Sequence, residues 1–381
     1  MNHTTIAIIG GGPGGLTLAR LLQRHADVTV TVYERDCSRD ARAQGATLDL
    51  HEESGLAALQ EAGLVDEFRA RYRPGAEKLR VMDKHAHILR DEQEHPAEEI
   101  SRPEIDRGPL QNLLLDSLLP GTVVWDCPFS SLSPENGSWR IRFQNDFTAQ
   151  ADVVIGADGA RSKVRSSVTS IQPIYCGLTV VEGNVYHSET AAPKIHELLQ
   201  GGKIFALGDS KSLIISAKGD GSLVFYTGVN TDEQWSKKGG IDFADQAQVL
   251  AWFRKEYAGW DPVWQELFES AALPFIPRPQ YYMPPDQTWA AQTNLTLLGD
   301  AAHLMPPYTG EGVNMAMQDA LELSQRLTAG NFSDIPAALA AYEAQMRSRA
   351  AQAAAASLQS TAKMHSPDAM AYLLQVIGLQ E

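Results

Sequence analysis

Positive charge, cysteine and long apolar runs are all scarce in this chain. Its 381 residues carry 32 Lys and Arg against 47 Asp and Glu, a formal net charge of −15. That balance argues against a general nucleic-acid or anionic-membrane binder. It leaves a small-molecule substrate open, because an acidic protein can still present a local basic patch. The three cysteines, Cys37, Cys127 and Cys176, stand too far apart for a disulfide framework or a metal pattern. They fit a reducing compartment. No zinc pattern, nucleophile elbow or usefully spaced carboxylate pair occurs, so no metal site and no catalytic side chain is expected. No apolar run approaches the length needed to cross a bilayer, and the first strand begins near Thr4, which leaves no room for a signal peptide. The expectation is a cytoplasmic, soluble monomer without nucleic-acid or membrane partners. Hydrophobic content of 44% and charged content of 21% are ordinary for a globular chain, and the length suffices for two domains.

The most informative stretch is Thr5 to Arg35. The run Ile6-Ala7-Ile8-Ile9 is too short for a helix and suits a buried parallel strand. It stops in a turn holding G-x-G-x-x-G at Gly10, Gly12 and Gly15, with Gly14 between. A helical pattern follows, with Leu16, Leu18, Ala19 and Leu22 on one side, then a strand from Val28 to Tyr33 that ends at Glu34 and Arg35. Gly10 permits the tight turn, Gly12 lets a pyrophosphate approach the backbone, and Gly15 lets helix and strand pack closely. The helix N-terminus offers free N–H groups and partial positive charge to phosphate. Glu34 is placed to accept hydrogen bonds from an adenosine ribose, which favours FAD or NAD over NADP at this position. The alternative is a glycine-rich turn in an ordinary α/β unit.

Further along, Arg39 and Arg42 occupy a charge-rich connection, either solvated surface or a place to meet a second nucleotide's phosphate. Asp49 lies in an apolar strand and needs a partner if buried. The segment from Arg102 to Arg107 reads as the opening of a helix that continues through Leu110, Leu113, Leu114 and Leu118. Arg107, a first-turn cation, is disfavoured there unless an anionic or polar partner answers it. Ala151 to Ile155 runs into Gly156-Ala157-Asp158-Gly159, a D-G turn at a strand's carboxyl end, where open α/β sheets bind ligands; a plain turn is the other reading. From Ile171 the pattern becomes β-rich, with Leu273 to Met283 an edge or irregular strand because of Pro274, Pro277 and Pro279. Leu295 to Leu298 ends in Gly299-Asp300, followed by Pro306-Pro307 and by Gly310, Gly312, Val313 and Asn314 at the start of another helix. There Asp300 is suited to ribityl hydroxyls, and the helix start to the negative charge of a reduced flavin. His303 suits a structural role in that turn better than a catalytic one. An alanine-rich helix from Ser333 to about Lys363 shows no sign of chemistry.

Taken in order, GGGPGG with Glu34-Arg35, GADGARSKVR and GDAAHLMPPYTGEGVN resemble the motifs of the class A flavoprotein monooxygenases, the family of p-hydroxybenzoate hydroxylase. The resemblance covers nearly the whole chain. Within the family, the runs YERD, GATLDLH, PEIDR and GDAAHLMPP are nearest to the tetracycline-inactivating monooxygenases. The resemblance implies an α/β fold: a Rossmann-like FAD-binding domain from 1–170 plus 291–330, an antiparallel substrate domain from 171–290, and a bridging C-terminal helix from 331–381. It implies non-covalent FAD, NADPH or NADH as co-substrate, O₂, and an aromatic or polyketide substrate hydroxylated through a flavin C4a-hydroperoxide. It assigns Arg107, Asp300 and Asp49 to FAD, Arg42 to NADPH, and Asp158-Gly159 to both. Aligned by eye, Glu182, Lys203 and Val224 stand where the tetracycline-inactivating enzymes carry Gln, Arg and His. Glu182, Lys203 and Tyr226 are thus candidate pocket residues or ordinary sheet positions. Competing functions on the same residues are a flavin-dependent dehydrogenase or reductase, an FAD-containing binding protein, and a plain NAD dehydrogenase.

Overall fold

The structure is a computed structural model that describes residues 3–41, 45, 47–92, 102–329 and 334–378. Arg42 lies outside the described residues. The apolar run after Thr4 forms β1 (Thr4–Ile9), buried on both faces in the middle of a five-stranded parallel sheet. Its neighbours on one side are β2 (Val28–Tyr33) and β7 (Val123–Val124), and on the other β11 (Val153–Gly156) and β17 (Leu295–Leu297). The connection from β1 to β2 is the helix Pro13–Leu22, with Pro13 at its first turn, where a missing N–H costs nothing. Of two distant segments, β11 sits beside β1 and β17 beside β11, and all three strands, being parallel, end on the same side. A three-stranded antiparallel sheet of β8 (Phe129–Glu135), β9 (Ser138–Phe143) and β10 (Thr148–Ala151) precedes β11.

The β-rich part builds a seven-stranded sheet in the order β16-β12-β15-β14-β13-β4-β5. These are β16 (Ala272–Tyr282), β12 (Ile174–Val185), β15 (Leu223–Asn230), β14 (Lys211–Ala217), β13 (Lys203–Gly208), β4 (Leu79–Asp83) and β5 (Ile88–Asp91). The proline-bearing β16 takes the edge and pairs with β12 through register shifts, as expected of a strand that lacks donors. Behind the sheet packs an aromatic core of Phe225, Phe253, Phe268, Phe275 and Trp264, covered by helices Gln246–Glu256 and Gln265–Ser270.

Three features depart from the sequence reading. The hairpin β4–β5 falls within 1–170 yet joins the large sheet, with β4 parallel to β13. Val81 and Met82, adjacent in β4, enter different apolar cores on opposite faces, which only a strand inside that sheet allows. Glu104–Asp106 is not a helix opening but strand β6, paired with β3 (Thr47–Asp49); the helix starts at Arg107. A further helix, Ala369–Gly378, follows the alanine-rich one and lays Ala369, Leu373 and Ile377 on the large sheet.

The alanine-rich helix spans Ile335–Met364, about 45 Å long at 1.5 Å per residue. At one end Tyr342 donates to the Leu297 carbonyl of β17; beyond its other end His365 reaches Ser212 of β14. One rigid rod thus touches both sheets.

Candidate functional site

Three loops meet at the carboxyl ends of β1, β11 and β17. Gly10 has φ +115°, and a Cβ there would lie 2.3 Å from the Ala157 carbonyl oxygen, so the first glycine turn rests directly on the D-G turn. Gly14 does the same for the third segment, where a Cβ would meet Leu298 and the Ala316 carbonyl below 3 Å. Gly15 abuts the Gly10 carbonyl. Gly12 differs: no protein atom lies within 4 Å of where its Cβ would point, and the same holds at Gly159 and Gly312. Gly10, Gly14 and Gly15 are thus required by packing, while Gly12, Gly159 and Gly312 leave backbone open at the strand ends.

Glu34 is buried at the end of β2 and accepts hydrogen bonds from the Gly11 N–H at 2.6 Å and the Asp36 N–H at 3.0 Å. That holds its carboxylate beside the glycine turn. Arg35 next to it is exposed. Arg39 bonds Asn112 and Asp116 of the helix Arg107–Asp116, which is the surface role. Asp158 accepts from Ser162 Oγ and from the Lys163 and Val164 N–H groups, so its carboxylate shapes its own turn. Arg165 fastens that turn to the third segment through the Ala301 and Ala302 carbonyls and Gln287, and burial pulls its guanidinium down to about 10.

Asp300 opens the short helix Asp300–His303, and burial raises its carboxyl above the usual range against the charges of His303 and Arg107. The first-turn cation Arg107 thus finds an anion within electrostatic reach. Gly310, φ +72°, lies against Asp49. Burial works to raise the Asp49 carboxyl, but the His51 hydrogen bond at 3.1 Å and the Lys203 charge hold it low. Asn314 is wholly buried and committed within the protein: it donates to the Asp49 carbonyl and accepts from the His51 N–H. It ties β3 to the start of helix Glu311–Ala329, where Val313 packs on the main core. Pro307 is exposed, and Glu311 stands 3.7 Å from His51 Nδ1. His303 is structural, its Nε2 2.5 Å from Asp319 in the core.

One face of the large sheet looks toward these loops, and the pairing registers lay it out in rows. The first row is Arg278, Val180, Gly228, Ser212 and Leu207; the second is Ile276, Glu182, Tyr226, Ile214 and Phe205; the third is Asn184, Val224, Ser216 and Lys203. Tyr308 of the loop after Asp300–His303 touches the first row, its hydroxyl lying 2.8 Å from where a Cβ on Gly228 would fall. Lys203 in the third row feels Asp49 beside Gly310. Glu182, Tyr226 and Lys203 therefore share the face under the loop, with roughly 14 Å between the β12 and β13 ends of the rows at three strand spacings.

Both charged positions are tethered. Glu182, buried, accepts from Arg278 Nε at 2.5 Å, which offsets its charge. Lys203 pairs with Glu104, which is 1% exposed, and burial lowers its ammonium despite Asp49. Arg278 was not legible as a site residue: it sits in a proline-rich edge strand with no motif around it. Its removal has a calculable effect. The R278A variant leaves a buried carboxylate uncompensated and loses about 1–3 kcal/mol of stability. The E182Q/R278A double variant is expected to recover most of that in chemical denaturation, since the coupling lies in the pair.

The arrangement defines a class: a dinucleotide-binding α/β protein with two further loops at the site and a sheet facing them. The FAD binding domain family matches residues 3–128 and 287–357. Monooxygenase asqM of Emericella nidulans is 30% identical, with 91% of this chain and 92% of that protein covered. The 3-amino-4-hydroxybenzoate 2-monooxygenase PtmB3 of Streptomyces platensis is 29% identical over 96% of this chain and 90% of its own. The crystal structure of tetracycline destructase Tet(55) shares the fold, with a TM-score of 0.72 at 20% identity, covering 96% of this chain and 90% of that one. The chain belongs to the FAD-dependent aromatic monooxygenase family. Among the described residues no helix is long and apolar enough to cross a membrane.

Proposed function

We propose that this protein uses NADPH or NADH and O₂ to hydroxylate a planar aromatic or enolic compound on bound FAD. The observation that carries the reading is the convergence of the Gly10, Ala157 and Gly310 loops above the Glu182–Tyr226–Lys203 face. Glu34 and Gly12 would hold the adenosine and pyrophosphate, Asp300 and Arg107 the ribityl chain, and Asp49 and Gly310 the ring end. Bound FAD, once reduced by the nicotinamide, would activate O₂, one atom going to the substrate and the other leaving as water. The chain's own residues position and shield. Tyr226 and Ile214 give a flat floor to an aromatic ring, the Arg278–Glu182 and Lys203–Glu104 pairs stand at its two sides, and the loop Pro306–Gly310 keeps water from the space between.

No side chain in that space needs to act as a nucleophile. Tetracycline belongs among the test compounds through the family likeness. Its fit rests on a floor whose Gln, Arg and His positions carry Glu182, Lys203 and Val224. The test is a screen of phenolic and polyketide compounds, tetracycline included, for stimulated NADPH or NADH oxidation, followed by ¹⁸O₂ labelling. Label in the product supports oxygen insertion. Stimulated oxidation with unlabelled product returns the reading to a dehydrogenase or reductase.

A further inference from the structure

Behind the flavin-type loop, the C-terminal helix carries a row of polar side chains at helical spacing: Ser357, Ser360, Thr361 and, just past its end, His365. Each is spent on a specific partner. Ser357 Oγ donates to the Pro306 carbonyl at 2.5 Å, and Ser360 Oγ to the Tyr308 carbonyl at 3.2 Å. The His365 ring is 6% exposed and lies edge-on to Tyr308 at 5.0 Å between centroids. Its Nδ1 is 2.8 Å from the Thr361 carbonyl, which requires the proton on Nδ1. Nε2 is then an acceptor, and it faces two hydroxyls: Ser212 Oγ of the large sheet at 2.9 Å and the Tyr308 phenol at 3.3 Å. Asn230 of β15 fixes the His365 backbone by donating to its carbonyl at 3.2 Å.

One imidazole therefore joins the helix, the substrate-facing sheet and the loop that caps the ring site. Gly228 leaves the room this needs: a Cβ there would lie within 3 Å of His365 Nε2, Ser212 Oγ and Tyr308 Oη alike. We propose that His365 is a positioning residue that locks Tyr308 against the first row of the sheet. In that place Tyr308 closes the space between the flavin ring and solvent on the side of the C-terminal helix. The neutral ring suits the task, because its one lone pair, shared between the nearer Ser212 hydroxyl and the Tyr308 phenol, needs no counter-ion in an apolar setting. The inference rests on the proposed FAD site.

The test is iodide quenching of bound-flavin fluorescence in the holoprotein, with the FAD dissociation constant measured alongside by titrating apoprotein. H365A is expected to raise the quenching constant about fivefold, the opening expected from losing one hydrogen bond of ordinary strength. Y308F is expected to move it in the same direction with the ring retained. H365Q, which restores an acceptor at the same reach, is expected to return it toward wild type. Unchanged quenching in H365A and Y308F overturns the proposal. A rise in H365A without one in Y308F also overturns it, since His365 would then act by holding the two terminal helices together. If H365A fails to fold, Y308F and S212A, each removing a single hydroxyl, decide the matter. A wild-type protein that retains no FAD would instead overturn the functional reading above.

Discussion

Replacing Asp319 by alanine is expected to be among the most destabilising single changes in the chain. Asp319 lies in helix Glu311–Ala329 with none of its surface exposed. Its two oxygens take three partners: the Gly299 N–H at 2.8 Å, His303 Nε2 at 2.5 Å and, through Oδ1, Arg349 of the C-terminal helix at 2.5 Å; Arg349 is also joined to Glu322. Removing it leaves the buried His303 imidazole without its anion and the partly buried Arg349 with Glu322 alone, and it frees the N–H of Gly299, the residue before Asp300. A buried pair broken on one side costs about 3–5 kcal/mol, and the melting temperature should fall by roughly 5–10 °C.

The sign of the pH dependence follows from the two partners. Burial opposes both charges, yet His303 and Arg349 hold the Asp319 carboxyl low, and Asp319 in turn raises His303 above its ordinary value. The depressed carboxyl contributes stability that is present above the unfolded carboxylate value and lost as pH falls through the folded one. The raised imidazole contributes stability that is full below the ordinary histidine value and lost as pH rises through the folded one. The wild-type advantage over D319N should therefore peak between the two and shrink on both sides. Melting temperatures of the pair across pH check this; a constant difference would place the coupling elsewhere.

The second large effect separates two glycines of one motif. G10A must place a Cβ 2.3 Å from the Ala157 carbonyl at φ +115°, so both the turn and its seat on the D-G loop have to move. G12A meets no protein atom within 4 Å, and Gly12 has φ −77°, which alanine adopts freely. G10A is expected to lose stability and FAD together. G12A is expected to melt like wild type while its affinity for FAD falls about 100-fold, close to 2.8 kcal/mol at 1.4 kcal/mol per factor of ten. Titration of apoprotein with FAD and a thermal melt read the two quantities separately. A G12A protein with wild-type FAD affinity would remove the pyrophosphate from that turn.

Much of the fold is legible in the sequence. Local pattern sufficed for β1, the helix after it and β2, because four apolar residues, a glycine turn and a 3.6-residue period are each short-range signals. The antiparallel strands β12 to β15 were legible for the same reason. The strand β6 was not: Glu104-Ile105-Asp106 is three residues long, and its strand character comes from pairing with β3, more than fifty residues earlier. The partners of the candidate site were equally hidden. Arg278 answers Glu182 from 96 positions away, and Ser212 meets His365 from 153. The alanine-rich helix looked chemically silent because its serines are inconspicuous singly, though Ser357, Ser360, Thr361 and His365 share the i, i+3, i+4 and i+8 spacing of one helical face.

Order along the chain was enough to mark a glycine turn after β1, a D-G turn after β11 and a third turn after β17, since each is written in contiguous residues whose backbone demands are local. Which side chains those loops confront could come only from the folded chain. Charge neutralisation at Glu182, the desolvation of Lys203 and the seating of Tyr308 depend on distances set when two sheets and one long helix pack, and a Coulomb or hydrogen-bond energy has no value until that distance exists.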